Sequence, residues 1–505
     1  MNSSQIAAAP SPHSPLYRAS GLRTLEAKAA DQPLMQRAGQ AAAELAARLC
    51  RDNGAAILIL AGPGNNGGDA LEAGHHLLGC FFKVHLVFTG QAEKLPPDAQ
   101  AALERFVHAG GKLLDAIPDS PPWGLIIDGL FGIGLQRNIE GAYANLIHDV
   151  NRLSLRNGCP LLALDCPSGL DADTGVVRGC AIRASHTLTF IALKPGLLTL
   201  DGPDYCGHTT VASLDLNPPL LAAPEGNTIA PTLFASHLAP RRRNSHKGSY
   251  GSAGILGGAP SMTGAALLTG RAALTLGCGR VYAGLLDSER PSVDLLQPEL
   301  MLRTPEALFH APLTALACGP GLSTAREALP LLEQALATEF PLVLDADALN
   351  LLAAEEPLAV AAASRQAPLL ITPHPAEAAR LLGVSVAEVQ ADRIASAQAL
   401  ARQFNAWTAL KGCGTIVAAP GGAWWINSSG NPGLAAAGQG DVLTGLAVAL
   451  LAQGWPPLKA LLGAVHLHGA AADHLVNTGT GPVGLTASET ALAARKVFND
   501  WCRQN

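Results

Sequence analysis

Short apolar runs bounded by glycine or proline recur along the first half of the chain and alternate with segments of helical periodicity. A short, continuously apolar run is typical of a strand that is buried on both faces of a parallel sheet. A helix capped by Ser20 is predicted to run through Leu22, Leu25 and Glu26, and two more are predicted over Ala38–Leu49 and Leu71–Leu78. The predicted strands are Ala55–Ala61, Val84–Phe88, Leu125–Asp128, Leu161–Asp165 and Thr187–Ile191.

The alternation stops between Asn217 and Pro231, where NPPLLAAPEGNTIAP contains four prolines and no periodicity. Proline-rich segments without periodicity are typical of loops and linkers. We therefore predict a first domain over residues 1–216, a linker over 217–231 and a second domain over 232–505.

The second half repeats the strand and helix alternation. Thr415–Ala419 and Ala423–Asn427 flank Pro420-Gly421-Gly422 and predict a hairpin. Both halves therefore predict an α/β fold with a parallel, doubly wound sheet. The other strands predicted in this half are Ala253–Leu256, Leu313–Cys318, Leu342–Asp345, Leu369–Thr372 and Thr408–Lys411.

Composition narrows the class of protein further. The 505 residues are 48% apolar and 15% charged, which indicates buried domains rather than disorder. A net charge of −6 gives no reason to expect nucleic acid or an anionic membrane as a partner. The ten cysteines form no CxxC pair, Met1–Ser20 lacks the features of a signal peptide, and Gly248–Gly270 is broken by glycines and Pro260. We expect a cytoplasmic protein with reduced thiols.

A glycine-rich segment, Gly62–Asp69, follows the first buried strand and precedes a helix. Glycines at such a turn allow a ligand to approach the backbone, and a helix N-terminus offers N–H groups to an anion. A tight turn alone would also explain the glycines, but it would not require Asn65, Asn66 and Asp69.

Two further predicted strands end in aspartate, at Asp128 and Asp165. The carboxyl ends of parallel strands face the ligand crevice, although aspartate is also common in turns. Asn66, Asp128 and Ser168 would supply the oxygen ligands that a hard cation prefers. Asp165 would then remain as a candidate proton carrier.

Three ordered motifs, GPGNNGGD, DGLFGIGL and DCPSGLDADTG, resemble the NAD(P)H-hydrate epimerase domain over about Leu16–Leu216. The resemblance implies a Rossmann-like three-layer domain that binds K⁺ at Asn66, Asp128 and Ser168, with Asp165 catalytic. Lys194 lies in a further motif similar to the family's, and Ala70 replaces a common glycine. The implied substrate-binding residues are Asn65, Asn66, Gly67, Gly68, Asp69, Gly132, Ile133, Gly134, Leu135, Gln136, Arg137, Asn138 and Asp165.

A second candidate site begins at Gly438-Gln439-Gly440-Asp441, before the apolar helix Val442–Leu451. N–H groups at a helix start suit a transferring phosphoryl group, and the neighbouring carboxylate can accept a hydroxyl proton. A plain N-cap is the alternative. Other polar motifs at predicted strand ends favour a site: Gly319-Pro320-Gly321, Thr372-Pro373-His374-Pro375 and Lys411-Gly412-Cys413-Gly414-Thr415.

Together with Gly248–Ala259, LDADAL, TPHPAE and GNPG, these motifs resemble the ADP/ATP-dependent NAD(P)H-hydrate dehydratase over about Thr232–Trp501. The resemblance implies a ribokinase-like α/β domain that uses ADP, with Mg²⁺ accompanying the nucleotide. Ala437 replaces a glycine of the family pattern. The resemblance implies that Ala265, Gly321, His374 and the catalytic Asp441 bind the hydrate, and that Lys411, Gly412, Cys413, Gly414, Thr415 and Gly440 bind the nucleotide.

The two resemblances imply one repair pathway for NADHX and NADPHX, the hydrated forms of the reduced nicotinamide cofactors. The first half would interconvert their R and S epimers, and the second would dehydrate the S form with ADP, releasing AMP and phosphate. We also expect a homo-oligomer. Two other hypotheses remain: a ribokinase-like kinase for a small alcohol with an N-terminal sensor, and a non-enzymatic scaffold.

Overall fold

A computed structural model describes residues 14–50, 54–118, 122–135 and 137–504 of the chain. The chain divides into two compact units, and the division falls after Asn227. This position lies inside the predicted linker 217–231, which contains a short helix, Pro218–Leu221, and a short strand, Gly226–Thr228.

The first unit contains a seven-stranded sheet in which every pair of neighbouring strands is parallel, in the order β4-β3-β2-β5-β6-β7-β8. Strands β1 and β9 lie outside this seven-stranded sheet and pair antiparallel to each other. The strands are β1 (Pro15–Leu16), β2 (Ala56–Ala61), β3 (Lys83–Phe88), β4 (Leu113–Leu114), β5 (Trp123–Gly129), β6 (Leu161–Leu164), β7 (His186–Phe190), β8 (His208–Ala212) and β9 (Gly226–Thr228). The helices are α1 (Ala19–Lys28), α2 (Leu34–Leu49), α3 (Asn65–Gly79), α4 (Pro97–His108), α5 (Gly141–Asn157), α6 (Gly202–Cys206) and α7 (Pro218–Leu221).

The central strand β2 explains why this sheet carries helices on both faces. Because successive side chains of a strand point to opposite faces, its residues divide between two cores. Ile57 and Ile59 belong to the core that includes α1–α4, whereas Leu58 and Leu60 belong to the core that includes α5. The first unit is therefore a three-layer α/β sandwich, as predicted.

The second unit is built on the strand order β18-β17-β16-β15-β14-β13-β10-β11-β12, in which only β17 and β18 pair antiparallel to their neighbours among the described residues. Its strands are β10 (Ser252–Gly257), β11 (Arg280–Leu285), β12 (Met301–Arg303), β13 (Ala315–Cys318), β14 (Leu342–Leu344), β15 (Leu369–Ile371), β16 (Trp407–Leu410), β17 (Ile416–Ala418) and β18 (Trp424–Ile426). Its helices are α8 (Thr263–Thr275), α9 (Pro305–Phe309), α10 (Leu329–Leu336), α11 (Asp347–Ala354), α12 (Glu356–Ala363), α13 (Pro375–Leu382), α14 (Val386–Ala391), α15 (Arg393–Gln403), α16 (Gln439–Ala452), α17 (Pro457–Asn477) and α18 (Ala487–Gln504).

Helix α16 is the central helix of the second unit. Its residues from Val442 to Ala452 are all buried, and they pack in one apolar cluster with α8, α17 and α18. A helix that is apolar on all sides is buried on all sides. This packing fixes the position of the polar first turn of α16.

Most predicted elements are confirmed to within a few residues, including the α/β class and the hairpin β17–β18. Two helix starts were predicted wrongly. Ser20 lies inside α1 and caps nothing, because the N-cap position is Arg18. Helix α3 begins at Asn65, so the polar residues predicted as a loop form its first turn. Along the described ranges, no helix combines the length and apolar character needed to cross a membrane.

Candidate active sites

The first candidate site lies where β2 passes into α3. The N-cap residue of α3 is Gly64, whose backbone is extended and which provides no side-chain cap. A Cβ atom at Gly62 would lie 1.9 Å from the carbonyl oxygen of Leu130, so only glycine fits this close approach to the residues after β5. The uncapped first turn, Asn65–Asp69, therefore lies beside the loop that follows β5.

Asp165 lies directly after β6 and adopts a left-handed backbone, with φ of 64°. Its Oδ1 atom accepts a hydrogen bond from the ammonium group of Lys194, which is only 1% exposed. Lys194 also donates to Thr189 Oγ1 at 2.7 Å and to the Phe190 carbonyl oxygen at 3.0 Å. Lys194 therefore holds the carboxylate of Asp165 in one orientation.

The structure brings three of the predicted segments together around Asp165. A Cβ atom built on Gly132 would lie 3.1 Å from Asp165 Oδ2 and 3.4 Å from the Asn66 Cβ atom. Burial raises the pKa of Asp69 well above its ordinary value, and the negative charges of Asp165 and Glu26 raise it further. Asn66, Asp69, Gly132 and Asp165 thus surround one acidic space.

Glu26, on α1, faces the same space and was not proposed as a site residue from the sequence. Burial and then the charge of Asp165 raise the pKa of its carboxyl group. A sequence signal was present, because Glu26 directly follows Leu25 on the buried side of α1, where a carboxylate is unusual.

Asp128, Ser168 and Asn66 form the predicted oxygen set. Buried Asp128 accepts hydrogen bonds from Ser168 Oγ at 2.6 Å and from the backbone N–H groups of Ser168 at 2.8 Å and Leu130 at 3.2 Å. Burial nevertheless raises the pKa of Asp128 to about 6. Both polar side-chain atoms of Asn66 are buried, and neither has a hydrogen-bond partner among the described residues. A buried amide without partners and a buried carboxylate are both suited to a cation with oxygen ligands.

The remaining predicted residues of this site differ in exposure. Ile133 and Leu135 pack against apolar clusters, whereas Gly134, Arg137 and Asn138 are exposed. Gln136 lies outside the described residues. The methyl group of Ala70 is buried against Gly129, because a Cβ atom at Gly129 would lie 2.4 Å from it. The alanine therefore fills space between α3 and β5 and does not narrow the polar loop.

The second candidate site is at the start of α16. Gly438 is the N-cap residue, with φ of 83°, and no side chain caps the helix. Asp441 lies three positions further on, so the interpretation of Asp441 as a plain N-cap is wrong. Burial, followed by the negative charge of Asp345, raises the pKa of Asp441 to about 7. Ala437, which replaces a family glycine, does not have a positive φ, so a methyl group is tolerated there.

Lys411, directly after β16, extends its ammonium group toward the same helix start. Its Nζ atom lies 2.7 Å from Asp345 Oδ1 and 3.9 Å from Glu377 Oε2. Burial lowers the pKa of Lys411, but the charges of Asp345 and Glu377 outweigh this effect and raise it overall. A Cβ atom at Gly440 would lie 3.4 Å from Lys411 Nζ. Lys411 and Gly440, both predicted to bind the nucleotide, are therefore adjacent.

The buried side chain of Arg393, which is 2% exposed, holds the start of the loop after Lys411 by hydrogen bonds. Its guanidinium group donates to the carbonyl oxygens of Leu410 and Lys411, each at 3.2 Å. Thr415 Oγ1 donates to the Gly412 carbonyl oxygen at 3.1 Å, and Cys413 is exposed. The loop presents backbone and an ammonium group, and the Thr415 hydroxyl is engaged within the loop.

His374 has a structural contact that the sequence did not reveal. Its Nδ1 atom accepts hydrogen bonds from the backbone N–H groups of Ala376 at 3.1 Å and Glu377 at 3.4 Å, and so caps α13. In return, Glu377 accepts a hydrogen bond from the His374 backbone N–H group at 2.7 Å. The side chain is nearly half exposed, so its predicted contact with the hydrate stays a prediction.

Gly321 and Ala265 meet at Met262, on the same side of the second unit. A Cβ atom at Gly321 would lie 2.5 Å from the Met262 carbonyl oxygen, which also accepts a hydrogen bond from the Ala265 backbone N–H group at 3.2 Å. Further along α8, Leu268 contacts Gly438 closely. Helix α8 therefore links these two residues to the start of α16.

Three buried residues of this site were missed by the sequence analysis: Asp345, Glu377 and Thr444. Asp345 directly follows β14, so the same argument that selected Asp128 and Asp165 would have selected it. The described residues contain no group of three or more His, Cys, Asp or Glu side chains placed to hold a metal ion.

Comparisons with known proteins match both units. A family model described as YjeF-related protein N-terminus matches residues 31–196, and one described as NAD(P)H-hydrate dehydratase matches residues 253–491. The bifunctional NAD(P)H-hydrate repair enzyme Nnr of Escherichia coli (strain K12) is 36% identical over 97% of this chain and 94% of that enzyme. The enzyme of the same name from Coxiella burnetii is also 36% identical, over 96% of this chain and 99% of its own length.

A solved structure of the ADP/ATP-dependent NAD(P)H-hydrate dehydratase from Bacillus subtilis, co-crystallised with ATP and Mg²⁺, is 33% identical. It covers 53% of this chain and 97% of its own length, with a TM-score of 0.47. The full-length matches do not support the alternatives of a small-alcohol kinase with an N-terminal sensor or of a non-enzymatic scaffold. The chain belongs to the bifunctional NAD(P)H-hydrate repair enzymes.

Proposed function

We propose that this chain repairs hydrated nicotinamide cofactors in two steps, with one site in each unit. The first unit epimerises the R and S forms of NADHX and NADPHX, and the second dehydrates the S form with ADP. The observation that carries the proposal is the second site, where Asp441 and Lys411 meet at the uncapped start of a buried helix. This arrangement suits transfer of a phosphoryl group to a substrate hydroxyl.

The dehydration follows from the roles of these groups. Asp441 accepts the proton of the C6 hydroxyl group as its oxygen attacks the terminal phosphorus of ADP, and AMP leaves. The ring nitrogen lone pair then expels phosphate from C6, and loss of a proton from C5 gives the reduced cofactor. Lys411 and the N–H groups of the first turn of α16 stabilise the negative charge on the phosphates. Mg²⁺ would arrive with the nucleotide phosphates, as is common for this ion.

Epimerisation requires the C6–O bond to open and to re-form on the other face of a planar ring. Asp165 gives a proton to the departing oxygen and later takes one from the returning water. Lys194 is buried and contacts Asp165, so its part is to hold the carboxylate in place. The carboxyl groups of Glu26 and Asp69 border the space in which the ring becomes cationic while the bond is open.

Potassium is the cation that we propose for Asn66, Asp128 and Ser168. It would add a positive charge beside the bound hydrate and would satisfy the amide of Asn66 and the carboxylate of Asp128. The ADP preference, a homo-oligomeric state and a cytoplasmic location stay predictions.

The direct test is repair of a mixture of R and S hydrates by the purified protein, with and without ADP. We expect the absorbance of the reduced nicotinamide to recover completely with ADP, with AMP and phosphate formed in equal amounts. Without ADP, we expect only equilibration of the two epimers. A stable phosphorylated product without recovery of the reduced cofactor would contradict the proposal.

A further inference from the structure

Asp345 is a buried carboxylate that joins three segments of the second site. It is 1% exposed and directly follows β14. One of its oxygens lies 2.7 Å from the ammonium group of Lys411, and the other accepts a hydrogen bond from Thr444 Oγ1 at 2.7 Å. Asp345 therefore ties the loop after β16 to α16.

Thr444 is three residues, or nearly one helical turn, beyond Asp441 on α16, and it is completely buried. A Cβ atom built on Gly440 would lie 3.7 Å from Asp345 Oδ2 and 3.4 Å from Lys411 Nζ. The carboxylate thus lies directly beneath the turn that carries Asp441. Moving or neutralising Asp345 would change the position of both Lys411 and this turn.

Two carboxylates and one ammonium group are buried together in this site, which is an unusual excess of negative charge. Lys411 is shared between two buried carboxylates, those of Asp345 and Glu377. A buried ion pair alone is weak evidence of a stabilising role, because desolvation offsets much of the attraction. Its position beside the proposed catalytic base points to a role in the reaction.

We infer that Asp345 is a positioning residue for dehydration: it places Lys411 and the first turn of α16 around the phosphoryl group that Asp441 helps to transfer. The inference rests on the proposed function of Asp441. The negative charge of Asp345 has a second consequence, because it acts on the carboxyl group of Asp441.

The charged groups that act on Asp441 are Asp345, Lys411 and Asp347, and the neighbouring Leu268 of α8 is apolar. After burial, the charge of Asp345 is the largest cause of the raised pKa of Asp441, and Lys411 opposes it. Removing the charge of Asp345 should therefore lower the pH at which Asp441 becomes ionised. Removing the charge of Lys411 should have the opposite effect.

The test compares Asp345→Asn with Thr444→Val in the full-length protein. Thr444→Val removes a hydrogen bond to Asp345 but leaves its charge. For Asp345→Asn we expect the acid limb of kcat/KM for dehydration to move down by about one pH unit, since a neighbouring charge shifts a pKa by this order. We also expect the Kd for ADP to rise about tenfold, as for loss of one charged hydrogen bond. Thr444→Val should leave the acid limb in place.

A second pair of variants guards against misfolding, because Asp345→Asn leaves the ammonium group of Lys411 partly unpaired. Lys411→Met should move the acid limb up, and Asp345→Asn combined with Lys411→Met should bring it back down. In the double variant Glu377 loses Lys411 as a neighbour but keeps its hydrogen bond from the backbone N–H group of His374. An acid limb that is the same in Lys411→Met and in the double variant would overturn the inference.

The inference and the proposed function fail in different ways. If Asp441→Asn keeps normal dehydration, the proposed function itself is wrong. If Asp441→Asn is inactive but Asp345→Asn keeps the wild-type acid limb and ADP affinity, only the role of Asp345 is wrong. Epimerisation, measured in the same samples, reports the amount of folded first unit and so normalises the protein concentration.

Discussion

At the scale of single residues, the two proposed proton carriers lie in different electrostatic surroundings. Asp165 is held by the buried ammonium group of Lys194. Burial and the negative charge of Asp345 raise the pKa of Asp441 to about 7. A base with a pKa near the working pH combines a useful ionised fraction with a strong pull on the hydroxyl proton. A pKa of about 7 is consistent with the proposed role of Asp441 as a base at neutral pH.

Asp441→Asn is expected to lower the rate of dehydration by about 10²–10⁴-fold, the usual cost of losing one general base. In the wild type, Asp441 must be ionised to act, so kcat/KM should fall as the pH falls through about 7. Both are measured by recovery of the reduced cofactor from the pure S hydrate with ADP. Epimerisation should be unchanged in the variant, and a flat wild-type profile across neutral pH would contradict the assignment.

Asp165→Asn is expected to stop epimerisation, because an amide cannot exchange the proton that the departing oxygen requires. A mixture of epimers with excess ADP should lose its S form and stall with R remaining. The variant also leaves Lys194 buried without its counterion, which typically costs roughly 3–5 kcal/mol. Its melting temperature should therefore fall.

The matched control for this cost is Asp165→Asn combined with Lys194→Met. The double variant removes both charges, so it should recover thermal stability but not epimerisation. Complete conversion of the mixture at the wild-type rate by either variant, after subtraction of spontaneous epimerisation, would show that another residue carries the proton.

At the scale of elements, both candidate sites combine an uncapped helix start with aspartates at strand ends. In each unit a long helix begins without a side-chain cap, at Gly64 before α3 and at Gly438 before α16. Aspartates lie at the carboxyl ends of three strands: Asp128 is the penultimate residue of β5, Asp165 directly follows β6 and Asp345 directly follows β14. Uncapped N–H groups attract anions, and carboxylates at strand ends supply proton transfer or cation binding. The residues proposed for binding and chemistry thus lie at the ends of regular elements.

The proposed K⁺ ligands Asn66, Asp128 and Ser168 lead to a prediction about the salt dependence of stability. KCl should raise the melting temperature of the wild type more than choline chloride at the same ionic strength, because K⁺ compensates the buried carboxylate of Asp128. Asp128→Asn should abolish this difference. Asp149→Asn, on the exposed side of α5, is the control and should retain it. If the wild type has equal melting temperatures in the two salts, K⁺ does not bind at this site.

At the scale of the whole molecule, each unit has its own sheet, its own apolar core and its own candidate site. Each proposed reaction uses residues of one unit only, so we expect a hydrate released by the first site to reach the second through solution. The two activities should therefore be separable without loss of either.

Mixing Asp165→Asn protein with Asp441→Asn protein should accordingly restore complete repair. The first variant supplies dehydration and the second supplies epimerisation, so R and S hydrates should both be consumed when ADP is present. The measurement is the final yield of reduced cofactor, compared with each variant alone. A mixture that stalls with R remaining would mean that the two steps must occur within one molecule.

The sequence by itself determined the α/β class, most strand positions and the identity of the polar motifs. Apolar runs such as Ala56–Ala61 have one stable environment, a strand buried on both faces, so their pattern is sufficient. Glycine and aspartate at strand ends and helix starts are equally local signals. They are sufficient to single out Asp128, Asp165 and Asp441 as candidate site residues.

Only the tertiary structure decided which charges act on one another. Lys194 and Asp165 are 29 positions apart and Asp345 and Lys411 are 66 apart, so no local pattern predicts either pair. The raised pKa of Asp441 depends on burial by the whole unit and on a carboxylate from another strand. The uncapped starts of α3 and α16 likewise depend on packing that holds glycine where a capping side chain would ordinarily be. Burial and long-range charge are properties of the folded chain, and they set the chemistry of both sites.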